Sequence, residues 1–342
     1  MKTNIRNNSI IEVQPALSAE GLTFRPFAGE TDFSHMLELI RVCSLVDQVE
    51  RADTLETIRN NYRHLVNCEV EKDMVMVEAD GKLVAYSRGF WRQEQEGNCI
   101  YHFVCFVHPH WRGKGIGSFI IKNAEQRARV LAREFSWTAP LYLETEIADT
   151  QRQAQALISK AGFEAVRYSS LMVRSHLEDI PDLPLPAGVE IRDVLPEHYQ
   201  KIYDASMEAF RDHWGFSPDA EDPLEAWLES PHFDPSLWRV AWEEDEVVGM
   251  VLSFIDQDEN TTYGRKRGYT ENISVRRPWR KKGIARALIA ASLKALKERG
   301  MEEAALGVDT QNLSGAFRLY ESMGYRHVKR FSLMRKEISP LR

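Results

Sequence analysis

The amino-acid sequence predicts a mixed α/β protein built from two tandem copies of one domain, and three observations carry that reading. A short stretch occurs twice, as VHPHWRGKGIG from Val107 to Gly117 and as VRRPWRKKGIA from Val275 to Ala285. Each follows a β-like run, Tyr101 to Val107 and Tyr269 to Val275, and opens into a segment of helical period, so each reads as strand, tight basic loop and helix N-terminus. The repeat extends far beyond the loop: Arg112 to Arg280 is 168 positions, Gly162 in KAGF to Gly324 in SMGY is 162, and Arg25 in TFRPF to Arg192 in EIRDV is 167. Offsets that agree this closely describe a collinear duplication with a period of about 160 residues. Between the copies lies HLEDIPDLPLPAG, where Pro181, Pro184 and Pro186 cannot continue a helix or a central strand. The expected organisation is an N-terminal extension (1–21), a first domain (22–175), a Pro-rich linker (176–186) and a second domain (187–342).

Within the first copy, Leu22 to Phe27 reads as a strand, and Asp32 to Gln48 and Thr54 to Leu65 as helices. Asp53, three residues before Glu56, fits a capping box for the second of these. Met74 to Ala79 and Lys82 to Trp91 are two strands joined by the tight turn Asp80-Gly81. The helix after the loop carries Ile116, Ile120, Ala124, Ala128 and Leu131 on one face. Leu141 to Glu146 is a strand, Thr150 to Ala161 a helix ended by Gly162, and Phe163 to Val173 a closing strand. The second copy repeats the order: a strand at Val189 to Val194, helices at His198 to Phe210 and near Leu224 to Leu228, and a hairpin of Trp238 to Trp242 with Val247 to Ile255. Its post-loop helix shows Ile284, Leu288, Ala291 and Ala295 on one face, and Ala304 to Val308, Ser314 to Met323 and Tyr325 to Arg335 complete it as strand, helix and strand.

A strand, a basic loop and a helix start together suit an anion. The first four N–H groups of a helix lack intrahelical partners, the helix dipole adds positive potential, and glycine lets a phosphate approach the backbone. Neither copy fits G-x-x-x-x-G-K-[ST] or G-x-G-x-x-G; both fit R-x-x-G-x-[GA]. That pattern, after a strand ending in Val and before an amphipathic helix, resembles motif A of the GNAT superfamily of acyl-CoA-dependent N-acyltransferases. The resemblance implies a mixed, mostly antiparallel sheet flanked by helices in each copy. It also implies that loop amides hold the pyrophosphate of acetyl-CoA as co-substrate, with no metal. On it, the binding residues of the second copy are Ile273, Ser274, Val275, Arg280, Lys281, Lys282, Gly283, Ile284, Ala285 and Asn312. A second possible site in the first copy comprises Val107, Arg112, Gly113, Lys114, Gly115, Ile116 and Gly117.

Residues beyond the loop distinguish the copies. Transfer of an acyl group to an amine needs a neutral nucleophile, although an alkylammonium has a pKa of about 10.4, and a proton for the leaving thiolate. The second copy has DTQNLSGAFRLYESMGY from Asp309 to Tyr325. By the resemblance, Asn312 contacts the pantetheine arm or a water, and Tyr320, eight residues on, is the acid. Aligning KAGF with SMGY puts Ile158 opposite Tyr320 and Thr150 opposite Asn312, and Ile158 has no proton to give. Glu271 lies four residues before Val275, so alternation puts both on one strand face; it is the candidate base, and Phe103 is its counterpart in the first copy. Asp212, His213 and Trp214, between the first two helices of the second copy, are candidates for the acceptor pocket, with His213 also a spare base. The second domain is therefore expected to be active and the first catalytically degenerate.

Composition bounds the partners. A net charge of −7 with no long basic run argues against a general nucleic-acid binder, and no apolar stretch reaches the roughly 18 residues of a membrane span. Cys43, Cys68, Cys99 and Cys105 lack C-x-x-C spacing and read as reduced thiols in a cytoplasmic protein. Three functions follow: acetyl-CoA-dependent acetylation of a small-molecule primary amine; acetylation of a cysteinyl thiol conjugate; or a non-catalytic acyl-CoA sensor or scaffold. The chain is expected to be a monomer with pseudo-dimeric domains, or a homodimer.

Overall fold

The computed structural model describes residues 21–312 and 315–338. Residues 1–20 of the expected extension (1–21) and Ser314 lie outside them. In chain order the first copy contributes β1 (Leu22–Arg25), α1 (Phe33–Asp47), α2 (Leu55–Arg63), a single turn α3 (Val70–Asp73), β2 (Met74–Ala79), β3 (Lys82–Gln93), β4 (Cys99–Val107), α4 (Ile116–Glu134), β5 (Leu141–Ala148), α5 (Arg152–Lys160) and β6 (Glu164–Arg174). The second contributes β7 (Val189–Arg192), α6 (Tyr199–Phe210), α7 (Leu224–Leu228), β8 (Trp238–Glu243), β9 (Glu246–Phe254), α8 (Gln257–Tyr263), β10 (Arg267–Val275), α9 (Ile284–Glu298), β11 (Glu303–Asp309), α10 (Ala316–Ser322) and β12 (Arg326–Ile338). No helix among the described residues is long and apolar enough to cross a membrane.

Local chemistry accounts for most of these elements. The cap of α2 is Thr54 rather than Asp53: its side chain accepts from the Thr57 N–H, and the Thr57 hydroxyl accepts from the Thr54 N–H in return. The predicted stripe of α4 is buried throughout, Ile116 to Leu131. On α9 the buried face is wider than the predicted one, taking in Ile289, Leu293 and Leu296, because the helix is covered by β8, β9 and β10 together. Each such aliphatic side chain contributes about 1.5–3 kcal/mol. Helix α8 was not foreseen; its polar sequence carries no apolar period, and its start is set by Asp256, which accepts from the Glu259 N–H.

All twelve strands form one sheet, in the order β1-β2-β3-β4-β5-β12-β6-β11-β10-β9-β8-β7. Only β4/β5 and β10/β11 are parallel. The centre of the sheet shows an exchange: β6 of the first copy pairs with β11, while β12 of the second pairs with β5, and β6 and β12 pair with each other. The sequence repeat therefore does not coincide with the packing unit, because residues 164–174, inside the expected first domain, complete the second half of the sheet. Charged pairs reinforce this seam: the Arg335 Nε donates to Glu144 at 2.7 Å and Arg167 pairs with Asp309 at 2.7 Å. A chain starting at residue 187 loses β6 and leaves β11 and β12 with open edges. We expect that fragment to aggregate, and one starting at 163, which retains β6, to stay soluble, as read by size-exclusion chromatography and circular dichroism.

Candidate active site

The second-copy site is built where β10 and β11 separate. Their pairing stops at Tyr269 opposite Ala305. On its other side β10 carries a bulge: Glu271 pairs with Leu252 and Ser274 with Met250, three steps against two, with Asn272 in the left-handed region at φ 48°. The extra residue breaks the alternation. Glu271, opposite Leu252, faces the α6 side, whereas Val275, opposite Gly249, packs with Ile273 toward α9. The expectation that Glu271 and Val275 share a face is thus corrected, and residues 272 and 273 have no partner in the β9 register. In the first copy β3 and β4 pair without interruption from Ala85–Val107 to Gln93–Cys99, so no bulge exists there.

Across the gap, the Gly307 N–H donates to the Glu271 Oε1 at 3.0 Å. Burial at the base of the cleft outweighs that bond and pushes the carboxyl up to about 7. Tyr320 on α10 is 7% exposed, and among the described residues its phenol makes no hydrogen bond. Burial first, and the Glu271 charge second, hold the phenol well above its usual pKa. Its neighbour Tyr325, ring centroid 6.2 Å away, differs: that hydroxyl is hydrogen-bonded to Thr270 Oγ1 at 2.8 Å and belongs to the core. Phe103 and Ile158, the first-copy counterparts of Glu271 and Tyr320, are both buried among apolar side chains. Asn312 closes the turn after β11, its N–H donating to the Asp309 carbonyl; Leu313 beside it is outside the described residues.

Both loops start their helices at a left-handed glycine, Gly283 (φ 86°) for α9 and Gly115 (φ 90°) for α4, and neither helix has a side-chain cap. Lys281 is left-handed too, at φ 63°. Both helices therefore begin with first-turn amides that no side chain caps. The loop arginines do a different job from the one expected. Arg280 donates from Nε to the Val275 carbonyl at 2.9 Å, from Nη2 to the Ala209 carbonyl at 3.2 Å and from Nη1 to Asp212 at 2.6 Å. Arg112 donates to the Val107 carbonyl at 3.0 Å and to both Asp47 oxygens at 2.6 and 2.8 Å. The same brace is built twice, tying each loop to its strand and to the preceding helix. Lys114 lies over the Trp111 ring at 4.2 Å.

Asp212, expected at the acceptor, is this brace: Arg277 and Arg280 grip it and hold its carboxyl far below the usual range. His213 packs its ring on Phe210 at 4.4 Å, and burial lowers its pKa. Trp214 covers Arg335 and Arg167 on the exchanged strands, at 4.2 and 5.2 Å. None of the three lines the cavity beside Glu271, because the loop carrying them crosses to the first half, where the Phe216 carbonyl accepts from the Gln95 N–H. That cavity, about 390 Å³, is walled by Asn60 and Asn61 of α2 and by His64 just after it, all from the first copy, by residues 222–233 around α7, and by Trp238, Leu252 and Phe254 of the sheet. Sequence reasoning missed the residues from the first copy. Polar positions on α2 carry no motif, and only the tertiary pairing of the copies brings them to Glu271. The two walls are joined over the rim by Glu229, which accepts from Arg63 at 2.6 Å and lies 3.0 Å from the His64 Nε2.

The braces give a contrast between the copies. Arg112→Ala is expected to lower stability by about 1–3 kcal/mol in a denaturant melt while leaving turnover unchanged. Arg280→Ala is expected to lower stability similarly and also to raise the KM for the acyl donor.

The model of the Acetyltransferase (GNAT) family matches residues 36–163 and 199–325. Mycothiol acetyltransferase of Acidothermus cellulolyticus is 27% identical over 230 residues, covering 65% of this chain and 67% of that protein. The Amycolatopsis mediterranei protein of the same name is 25% identical over 303 residues, covering 86% and 92%. Among solved structures, a GCN5-related N-acetyltransferase from Sphaerobacter thermophilus has a TM-score of 0.69 at 27% identity over 94% of this chain and 97% of that one. A tandem GNAT protein from the clavulanic acid biosynthesis pathway shares the fold, with a TM-score of 0.67 at 14% identity over 94% and 100%. With one match in each copy and most of its length covered, the chain belongs to the GNAT acetyltransferase family, as a tandem-repeat acyltransferase of a family that draws its acyl group from acyl-coenzyme A.

Proposed function

We propose that the protein is an acetyl-CoA-dependent N-acetyltransferase acting on a small-molecule primary amine, with chemistry in the second half only. One contrast carries the reading. The bulged, parted strand pair, a carboxyl near neutrality and an unbonded buried phenol occur together beside β10, whereas the first half has an unbulged β4, Phe103 and Ile158.

The residues present fit the co-substrate: uncapped amides at Gly283 to Ala285 would hold a pyrophosphate, and the main chain of Ile273 to Val275 would hold and polarise an extended amide arm. Bound there, acetyl-CoA supplies the thioester. Glu271 takes a proton from the attacking amine at its free Oε2, since Oε1 is engaged by Gly307. Tyr320 keeps its proton at neutral pH and delivers it from Oη to the departing sulfur. In balance, one N–C bond forms, one C–S bond breaks, and the amine loses the proton that sulfur ultimately gains.

Similarity to mycothiol acetyltransferases makes the amine of a cysteinyl thiol conjugate the second reading of the acceptor. The test is to incubate the protein with acetyl-CoA, longer acyl-CoAs and a panel of amines including such a conjugate, following coenzyme A release and product mass. An acetylated amine supports the proposal. Binding of acetyl-CoA without acylation of any panel member supports a sensor or scaffold instead.

A further inference from the structure

The cavity beside Glu271 has a one-sided polar lining. Among the described residues no Arg or Lys lines it. The nearby cations are turned to other partners: Arg63 to Glu229 at the rim, and Arg88 to the Asn61 Oδ1 at 2.6 Å. The lining also holds the hydroxyl residues Thr57 and Ser230 and two histidines, each beside a carboxylate that does not line the space: His64 at 3.0 Å from Glu229 and His232 at 3.6 Å from Asp256. Asp222 offers an exposed carboxylate at the mouth, and Glu271 lies at the far end. Between the two carboxylates run the aromatic faces of Trp227, Phe233, Trp238 and Phe254. Two negative ends and no positive one select cationic donors, and aromatic faces accommodate a methylene stem or a second ammonium.

We infer that the acceptor is a diamine or polyamine, with one amine at Glu271 and a second ammonium held at the mouth by Asp222. The inference rests on the proposed acyl transfer in the second half. It also gives the first copy a task in the reaction: α2 supplies the specificity wall of its partner's site.

The experiment compares 1,4-diaminobutane, 1-aminobutane, 4-aminobutanoate and glucosamine as acceptors. The diamine is expected to exceed the monoamine by about tenfold or more in kcat/KM, and the amino acid to be inert. Asp222→Asn is expected to raise the diamine KM by about tenfold and to bring the diamine-to-monoamine ratio of kcat/KM close to one. Equal use of monoamine and diamine, or preference for glucosamine, would overturn the inference. Calorimetric titration with 1,4-diaminobutane separates this inference from the catalytic one. Binding that Asp222→Asn weakens, without acyl transfer, upholds the acceptor class and sinks the catalytic reading. No binding at millimolar diamine sinks the class whatever the enzyme acetylates.

Discussion

Tyr320→Phe is expected to lower kcat by about 10²–10³ and to leave stability essentially unchanged. The second half of that statement is what makes it diagnostic. The phenol is buried in the α9 core but makes no hydrogen bond among the described residues, so removing its oxygen leaves no partner unsatisfied. If Tyr320 were only a packing residue, Phe would serve as well and kcat would not move. Tyr325→Phe provides the control of opposite kind: it breaks the bond to Thr270 and is expected to cost about 1 kcal/mol in a denaturant melt without a selective effect on turnover. Single-turnover measurement of coenzyme A release separates a chemical defect from slow product release.

Glu271→Gln is expected to lower kcat/KM by about 10²–10³, and the wild-type enzyme to show a matching pH profile. A base must be ionised, so kcat/KM rises with pH through an apparent pKa of about 7, and that limb is lost in the variant. Stability moves in the opposite sense. The folded-state carboxyl is raised from 4.5 to about 7, so its favourable contribution is complete below pH 4.5 and is lost as pH rises through 7. The variant carries no such loss. It is expected to match the wild type near pH 4.5 and to exceed it at pH 8 by about 1–3 kcal/mol, a figure reduced for the partial exposure of the side chain. A variant inactive yet more stable at pH 8 marks Glu271 as a residue held for chemistry at the expense of the fold. A pH-independent wild-type profile between 6 and 8 would remove Glu271 from the role of base.

How much was legible beforehand depends on the range over which each feature is set. The duplicated R-x-x-G-x-[GA] loops, their flanking strands and helices, and the loss of Glu and Tyr from the first copy were all readable, because each is written in residues close together in the chain. Loop arginines looked like phosphate ligands because charge beside an anion site is the natural inference. Their commitment to Asp47 and Asp212 depends on helix ends more than sixty residues away. Trp214 looked like a pocket wall by its place between helices, but its loop was drawn to the exchanged strands by Arg335.

By itself, then, the sequence determined the duplication, the order of elements, the two basic glycine loops that open helices and the copy that retains a carboxyl and a phenol at matched positions, since local period, glycine placement and side-chain chemistry need no partner segment. Only the tertiary structure decided three further matters. The bulge at Asn272 reversed the facing of Glu271 against Val275, because strand register is a property of the pair and not of one strand. The exchange of β6 and β12 fused two repeats into one sheet, because hydrogen-bonding edges are filled by whichever strand docks there. That fusion brought α2 of the first copy over Glu271 of the second, so the residues framing the candidate acceptor cavity come from segments more than two hundred positions apart.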